Sequence, residues 1–130
     1  MKLFLFLAIL VNTNLTFAFK GYVYELGSKR QKTLFNIERV EKKDGDQEQL
    51  TLVHKSPDGT VAVSEEAFFI KNKLTKYHID YPRRSESGEI LIKDKTIYFS
   101  YTENGKTKTS EETLTDNFIV GLSMKNYLVE

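Results

Sequence analysis

Residues 74–81, with the sequence LTKYHIDY, decide the fold class of this chain, because their apolar and polar side chains alternate with a period of two. One phase carries Tyr77, Ile79 and Tyr81. The opposite phase carries Lys76, His78 and Asp80. Such alternation is typical of a β-strand with one buried and one solvated face, and it recurs at Ile97, Phe99 and Tyr101.

Turn-forming clusters divide the chain on both sides of this stretch into similar short runs. Asp44-Gly45 and Asn104-Gly105 suit tight hairpins because these residues tolerate positive φ, and residues 56–59 fit a slightly longer turn. These and weaker breaks predict strands near residues 20–26, 32–42, 47–55, 60–71, 74–81, 89–93, 95–102 and 106–113. The predicted fold is mainly β: an antiparallel meander that forms a small barrel or half-barrel, with a sandwich as the alternative.

The last stretch of the chain has a different pattern. Leu114, Phe118 and Leu122 recur at four-residue spacing, and Tyr127 and Leu128 extend the set. This spacing predicts a short C-terminal helix. We expect the helix to dock on the sheet or on a second chain, because leaving its large apolar side chains in water would forgo roughly 1.5 to 3 kcal/mol each.

The amino terminus has the pattern of a cleavable secretory signal peptide. Lys2 precedes the apolar run Leu3–Val11, and Thr16 and Ala18 supply the small residues that signal peptidase reads. The run is too short to span a bilayer, because that needs about 20 apolar residues. We expect cleavage after Ala18, with residues 1–18 as the signal and 19–130 as a single soluble β-rich domain, periplasmic or secreted, without stable membrane insertion.

The composition excludes several classes of function. Removing Lys2 with the signal lowers the 19 basic residues to 18, equal to the 18 acidic residues, so no net charge attracts nucleic acid. The chain has no cysteine, which excludes structural disulfides and thiolate chemistry. An exported protein without cysteine is more typical of bacteria than of animals, which favours a bacterial source. We expect no cofactor.

Candidate catalytic and metal-ligating residues are few. His78 and Asp80 lie two apart, so both point to one face of a strand, yet no serine elbow completes a hydrolytic set with Ser64 or Ser100. The alternation Asp44, Asp46, Glu48 resembles a calcium loop, but its glycine is misplaced and Lys55 stands where the bidentate glutamate should be. We therefore expect no catalytic residue and no metal site. A hydrolase using His78 and Asp80 stays as an alternative.

Aromatic residues are the remaining signal for binding. Tyrosine brings a polar group into an otherwise apolar pocket, and the mouth of a small barrel is where such pockets form. The candidate ligand-binding residues are Tyr77, Tyr81, Phe99 and Tyr101. The alternative is that these side chains simply fill the core, as they do in most small barrels.

The segment Thr115–Gly121, TDNFIVG, resembles one found in uncharacterised exported bacterial proteins, in which a β-meander precedes Asp-Asn-Phe and further strands follow. The resemblance implies an antiparallel barrel or half-barrel of the cell envelope, with no assigned activity. This chain stops at Glu130, soon after the segment, so the resemblance raises the expectation that the domain is incomplete.

Together these observations predict an exported, non-enzymatic β-protein. We expect it to bind an apolar small molecule or a partner protein through the concave face of its sheet. A structural module that another chain completes, including a homodimer, is a further alternative.

Overall fold

The structure is a computed structural model that describes residues 14–116, 118, 120 and 121, with the backbone alone at Leu15. Eight strands follow one another: β1 (Leu15–Tyr24), β2 (Thr33–Asp44), β3 (Gln47–Lys55), β4 (Val61–Ile70), β5 (Lys73–Tyr81), β6 (Glu86–Lys93), β7 (Thr96–Glu103) and β8 (Lys106–Thr113). One turn of 3₁₀ helix, Pro82–Arg84, joins β5 to β6. No helix among the described residues is long and apolar enough to cross a membrane.

The strands form one sheet in sequence order, each antiparallel to the next. The predicted antiparallel meander is therefore confirmed. Its tight turns have the expected backbone: Asn104 and Gly105 both take positive φ, 49° and 75°, which matches the right-handed twist of the flanking strands. The main difference is β1, which begins at Leu15, inside the segment predicted to be removed.

The predicted closure into a barrel is not seen. Strands β1 and β8 are the two edges of the sheet, and no pairing joins them within the described residues. The sheet is therefore an open one.

The predicted C-terminal helix is not seen either. The described residues of that segment lack α-helix, and the remainder of the predicted helix, through Leu128, lies outside the described residues. Phe118 donates its N–H to the carbonyl of Thr115, which closes a tight turn, and Gly121 has a positive φ of 38°. A left-handed residue interrupts a right-handed helix, so the predicted helix does not run through Gly121.

Cross-strand register defines two faces. Leu50 lies opposite Ala67, which lies opposite Tyr77, and the row continues through Ile90 to Phe99. We call the side that carries this row the apolar face. The polar face carries the neighbouring row of Glu66, His78, Glu89 and Ser100.

The core lies on the apolar face, at the middle of the sheet. Leu50, Ala67, Phe69 and Tyr77 form its buried cluster. The register also places Tyr77, Ile79 and Tyr81 on the same face as Ile97, Phe99 and Tyr101, as the alternation predicts. One face of the meander is thus the buried one.

Candidate functional site

The chain returns over the apolar face after β8. Leu114 donates its N–H to the carbonyl of Lys95 at 2.8 Å, which holds the end of β8 to the β6–β7 turn. Beyond it the Phe118 ring meets the edge of Phe99, with centroids 6.3 Å apart and planes at 74°. Val120 then packs against the core cluster. The described part of the C-terminal segment therefore covers the middle of the sheet.

Gly121 approaches Tyr77 closely and so positions the C-terminal segment on the sheet. A Cβ added to Gly121 would lie 2.7 Å from the hydroxyl oxygen of Tyr77, nearer than real Cβ atoms come to other atoms. Only glycine fits here, because it also accepts the positive φ. The segment consequently covers the hydroxyl end of the Tyr77 ring.

Tyr77 is a core residue that carries one buried polar contact. Its side chain is almost fully buried, and its hydroxyl donates a hydrogen bond to a carboxylate oxygen of Glu65 at 2.7 Å. Burial, followed by the neighbouring Glu65 carboxylate, raises the pKa of Tyr77 well above its usual range. The hydroxyl proton of Tyr77 is therefore already engaged by Glu65.

Tyr81 and Tyr101 lie at one end of the apolar face. Arg84 stands over the ring of Tyr81, 5.3 Å from its centroid, and pairs with Glu86 at 2.7 Å. Burial, followed by the neighbouring Glu86 carboxylate, raises the pKa of Tyr101. Arg84 and Glu86 therefore lie beside the two tyrosines. We call these four residues the rim.

A hollow of about 400 Å³ lies between the covered centre and the rim. It falls within the range of small-molecule sites, about 300 to 1,000 Å³. Three of the four predicted ligand-binding residues line it, and Tyr81 does not. Its lining includes Tyr77, Ile90, Phe99, Tyr101 and Lys108. Lys108 reaches it from β8, where it lies opposite Tyr101.

A second hollow, of about 640 Å³, lies near the opposite end of the strands and was not anticipated from the sequence. Its apolar lining comes from Phe68, Phe69 and Ile70, where an irregularity in the β4–β5 pairing offsets the register. The signal available was the Phe68-Phe69 doublet, which places an aromatic ring on each face. Asn14 and Thr16 also line this hollow, and both belong to the predicted leader.

An ion pair on the apolar face also escaped the sequence analysis. Arg39 and Glu41 share the phase of Leu52 and Leu50 and approach within 2.6 Å of each other. Both side chains are mostly buried, and the Nε of Arg39 has no hydrogen-bond partner among the described protein atoms. Glu41, two residues away on the same face of the strand, compensates the charge of Arg39.

The hydrolytic candidates lie on the polar face. His78 approaches Glu89 at 3.9 Å between Nδ1 and Oε2, and Glu89 also pairs with Lys76 at 3.0 Å. Ser64 lies opposite Asp80, while Ser100 is one strand beyond Glu89. The register thus brings Ser64 beside Asp80, whereas His78 approaches Glu89.

Metal-ligating clusters are not found in the described part of the chain: no group of three or more histidine, aspartate or glutamate side chains could hold an ion there. Asp44 ends β2, and Asp46 lies in the following turn. The carbonyl of Asp46 accepts the N–H of Lys71 at 2.8 Å, so this tip is tied to the next hairpin.

Comparisons with protein-family models, with curated proteins and with solved structures found no match for this chain.

Proposed function

We propose that this chain is an exported, non-enzymatic protein that binds an apolar or amphipathic small molecule on the apolar face of its sheet. The sheet curls into a half-barrel, and its concave side holds the ligand in the hollow between the covered centre and the rim. The observation that carries the proposal is the hollow of about 400 Å³ lined by Tyr77, Phe99 and Tyr101.

The side chains around the hollow favour a ligand with one polar end. Ile90 and Phe99 offer apolar surface, and Tyr101 offers an aromatic ring with a hydroxyl group. Lys108 is the basic side chain in the lining, so an anionic head group would lie beside it. A long-chain carboxylate combines the two properties.

Export follows in this proposal from the signal pattern at residues 1–18, with the envelope or the secreted fraction of a bacterium as the destination. Cleavage after Ala18 would shorten β1 to Phe19–Tyr24. The partners of its first residues, Val40 to Lys43, would then lose their pairing on that side. The hollow lies on β5 to β8, so cleavage leaves it intact.

A titration with a long-chain fatty acid, followed by calorimetry, tests the proposal. Tyr101 and Tyr98 are neighbours on β7 with nearly equal exposure, 42% and 41%, but Tyr101 lies on the apolar face and Tyr98 on the polar face. Tyr101→Ala should weaken binding about tenfold or more, and Tyr98→Ala should leave it within about twofold.

The head group can be tested separately. Lys108→Met should weaken binding of the fatty acid but not of the matching fatty alcohol, because only the acid carries a charge. Equal effects of Tyr101→Ala and Tyr98→Ala, or no binding of either lipid, would contradict the proposal.

A further inference from the structure

The two edges of the sheet differ in how they are protected. The side chains of β8, KTKTSEET, are all exposed and all polar, with lysines in its first half and glutamates in its second. Charged residues on an edge strand discourage pairing with another chain. The edge at β8 therefore has the composition of a strand that ends a sheet.

The edge at β1 has the opposite composition. From Phe19 to Tyr24 its sequence is FKGYVY, in which Lys20 is the single charged residue. Large apolar side chains are exposed on both faces of this strand, among them Phe19 at 49% and Tyr22 at 58%. Tyr22 and Tyr24 stack on each other, with centroids 6.3 Å apart. No described residue pairs with the outer side of β1.

An unpaired strand of this kind presents a row of backbone N–H and C=O groups together with apolar surface. We propose that β1 pairs with β1 of a second copy of this chain, antiparallel and about a two-fold axis, so that two sheets become one continuous sheet. This interface is independent of ligand binding in the hollow on β5 to β8. It uses only Phe19–Tyr24, which both the full chain and the predicted mature chain contain.

Self-complementarity favours a second copy as the partner, and the charge of Lys20 disfavours one of the possible registers. A two-fold axis at Gly21 places Phe19 opposite Val23 on the apolar face and Lys20 opposite Tyr22 on the polar face. Moving the axis to Lys20 would place the two lysines opposite each other, and like charges directly opposite are destabilising. The Gly21 register avoids this and joins apolar to apolar side chains.

Pairing β1 with β8 of a second copy is less favourable. It would set Phe19 and Tyr22 against an entirely polar strand, and its head-to-tail geometry would continue into rings or filaments. The pairing of β1 with itself closes with two copies.

Sedimentation of the purified full chain across a concentration series tests the interface. The wild type should form a dimer. Tyr22→Lys should raise the dissociation constant about tenfold or more, because it places a lysine opposite Lys20 twice in each dimer. Thr109→Lys is the matched control: it adds the same charge on the same face, but at the β8 edge. It should change the constant by less than about twofold.

The charge reversal Lys20→Glu, combined with Tyr22→Lys, should restore the dimer, since each lysine then faces a glutamate. Tyr22 is exposed, and circular dichroism identifies any variant that fails to fold. A wild type that stays monomeric at all concentrations would overturn the proposal. It would also be overturned by equal effects of Thr109→Lys and Tyr22→Lys, or by a double variant that stays as monomeric as Tyr22→Lys.

Discussion

The apolar face has a covered centre on β3 to β5 and an open margin on β1. At the centre, Leu50 and Phe69 are 0% and 2% exposed, whereas Phe17 and Phe19 at the margin are 57% and 49% exposed. All four lie on the inward phase of their strands. Alternation alone therefore does not decide which residues form the core. The centre has strands on both sides and a returning segment above it, and the margin has a strand on one side.

The largest expected effect contrasts one phenylalanine from each region. Phe69→Ala should lower the free energy of unfolding by about 3 to 5 kcal/mol, because it removes a fully buried ring and leaves a cavity. At concentrations low enough to keep the chain monomeric, Phe19→Ala should cost less than about 1 kcal/mol, because half of the Phe19 ring is then in water. Urea unfolding at those concentrations measures both losses. Similar losses for the two variants would show that the margin is covered within the single chain.

Substitution of Gly121 tests the contact between the C-terminal segment and Tyr77. Gly121→Ala should lower the free energy of unfolding by about 1 to 3 kcal/mol, since its methyl group would overlap the ring of Tyr77. Gly27→Ala is a suitable control, because Gly27 also has a positive φ, of 83°, but open space around it.

The difference between the two glycine variants isolates the contact with Tyr77 from backbone strain. If both variants lose the same stability, the returning segment does not press on Tyr77.

The strands could be predicted from the sequence, but the position of the C-terminal segment over the apolar face could not. Period-two alternation and Asn-Gly or Asp-Gly turns are local, and they located β2 to β8 to within a few residues. The position of Phe118 over Phe99 depends on residues brought together from distant strands. The C-terminal segment lies over Tyr77, which is buried in the core, and leaves Tyr101 at the rim. No local pattern distinguishes these two tyrosines.

The hydrogen bond between Tyr77 and Glu65 should make the stability of the fold fall at alkaline pH. The pKa of Tyr77 is raised in the folded chain, so its contribution is complete below the unfolded pKa of about 10 and is lost as the pH rises above that value. Tyr77→Phe should therefore flatten the fall in melting temperature above about pH 10.

Tyr101→Phe serves as the comparison at the rim, because Tyr101 is more exposed than Tyr77. Tyr101→Phe should alter the alkaline fall in melting temperature less than Tyr77→Phe does. A fall of unchanged steepness in Tyr77→Phe would show that other groups cause the alkaline loss.

The smallest effect is expected on the polar face. His78→Ala should leave stability within about 0.5 kcal/mol and leave ligand binding unchanged, because the side chain is partly exposed and lies on the polar face, whereas the hollow lies on the apolar face. Denaturation and the same fatty-acid titration measure this. If the wild type hydrolyses an ester and His78→Ala slows the reaction about a hundredfold, the hydrolase alternative replaces binding.

Native mass spectrometry of the protein purified from its own host tests export and ligand binding together, because it weighs the chain and whatever it retains. We expect a chain that begins at Phe19 and carries a small amphipathic ligand, with the ligand lost from Tyr101→Ala and kept by Tyr98→Ala. A chain that retains Met1, or one that carries no ligand in either the wild type or Tyr98→Ala, would contradict this expectation.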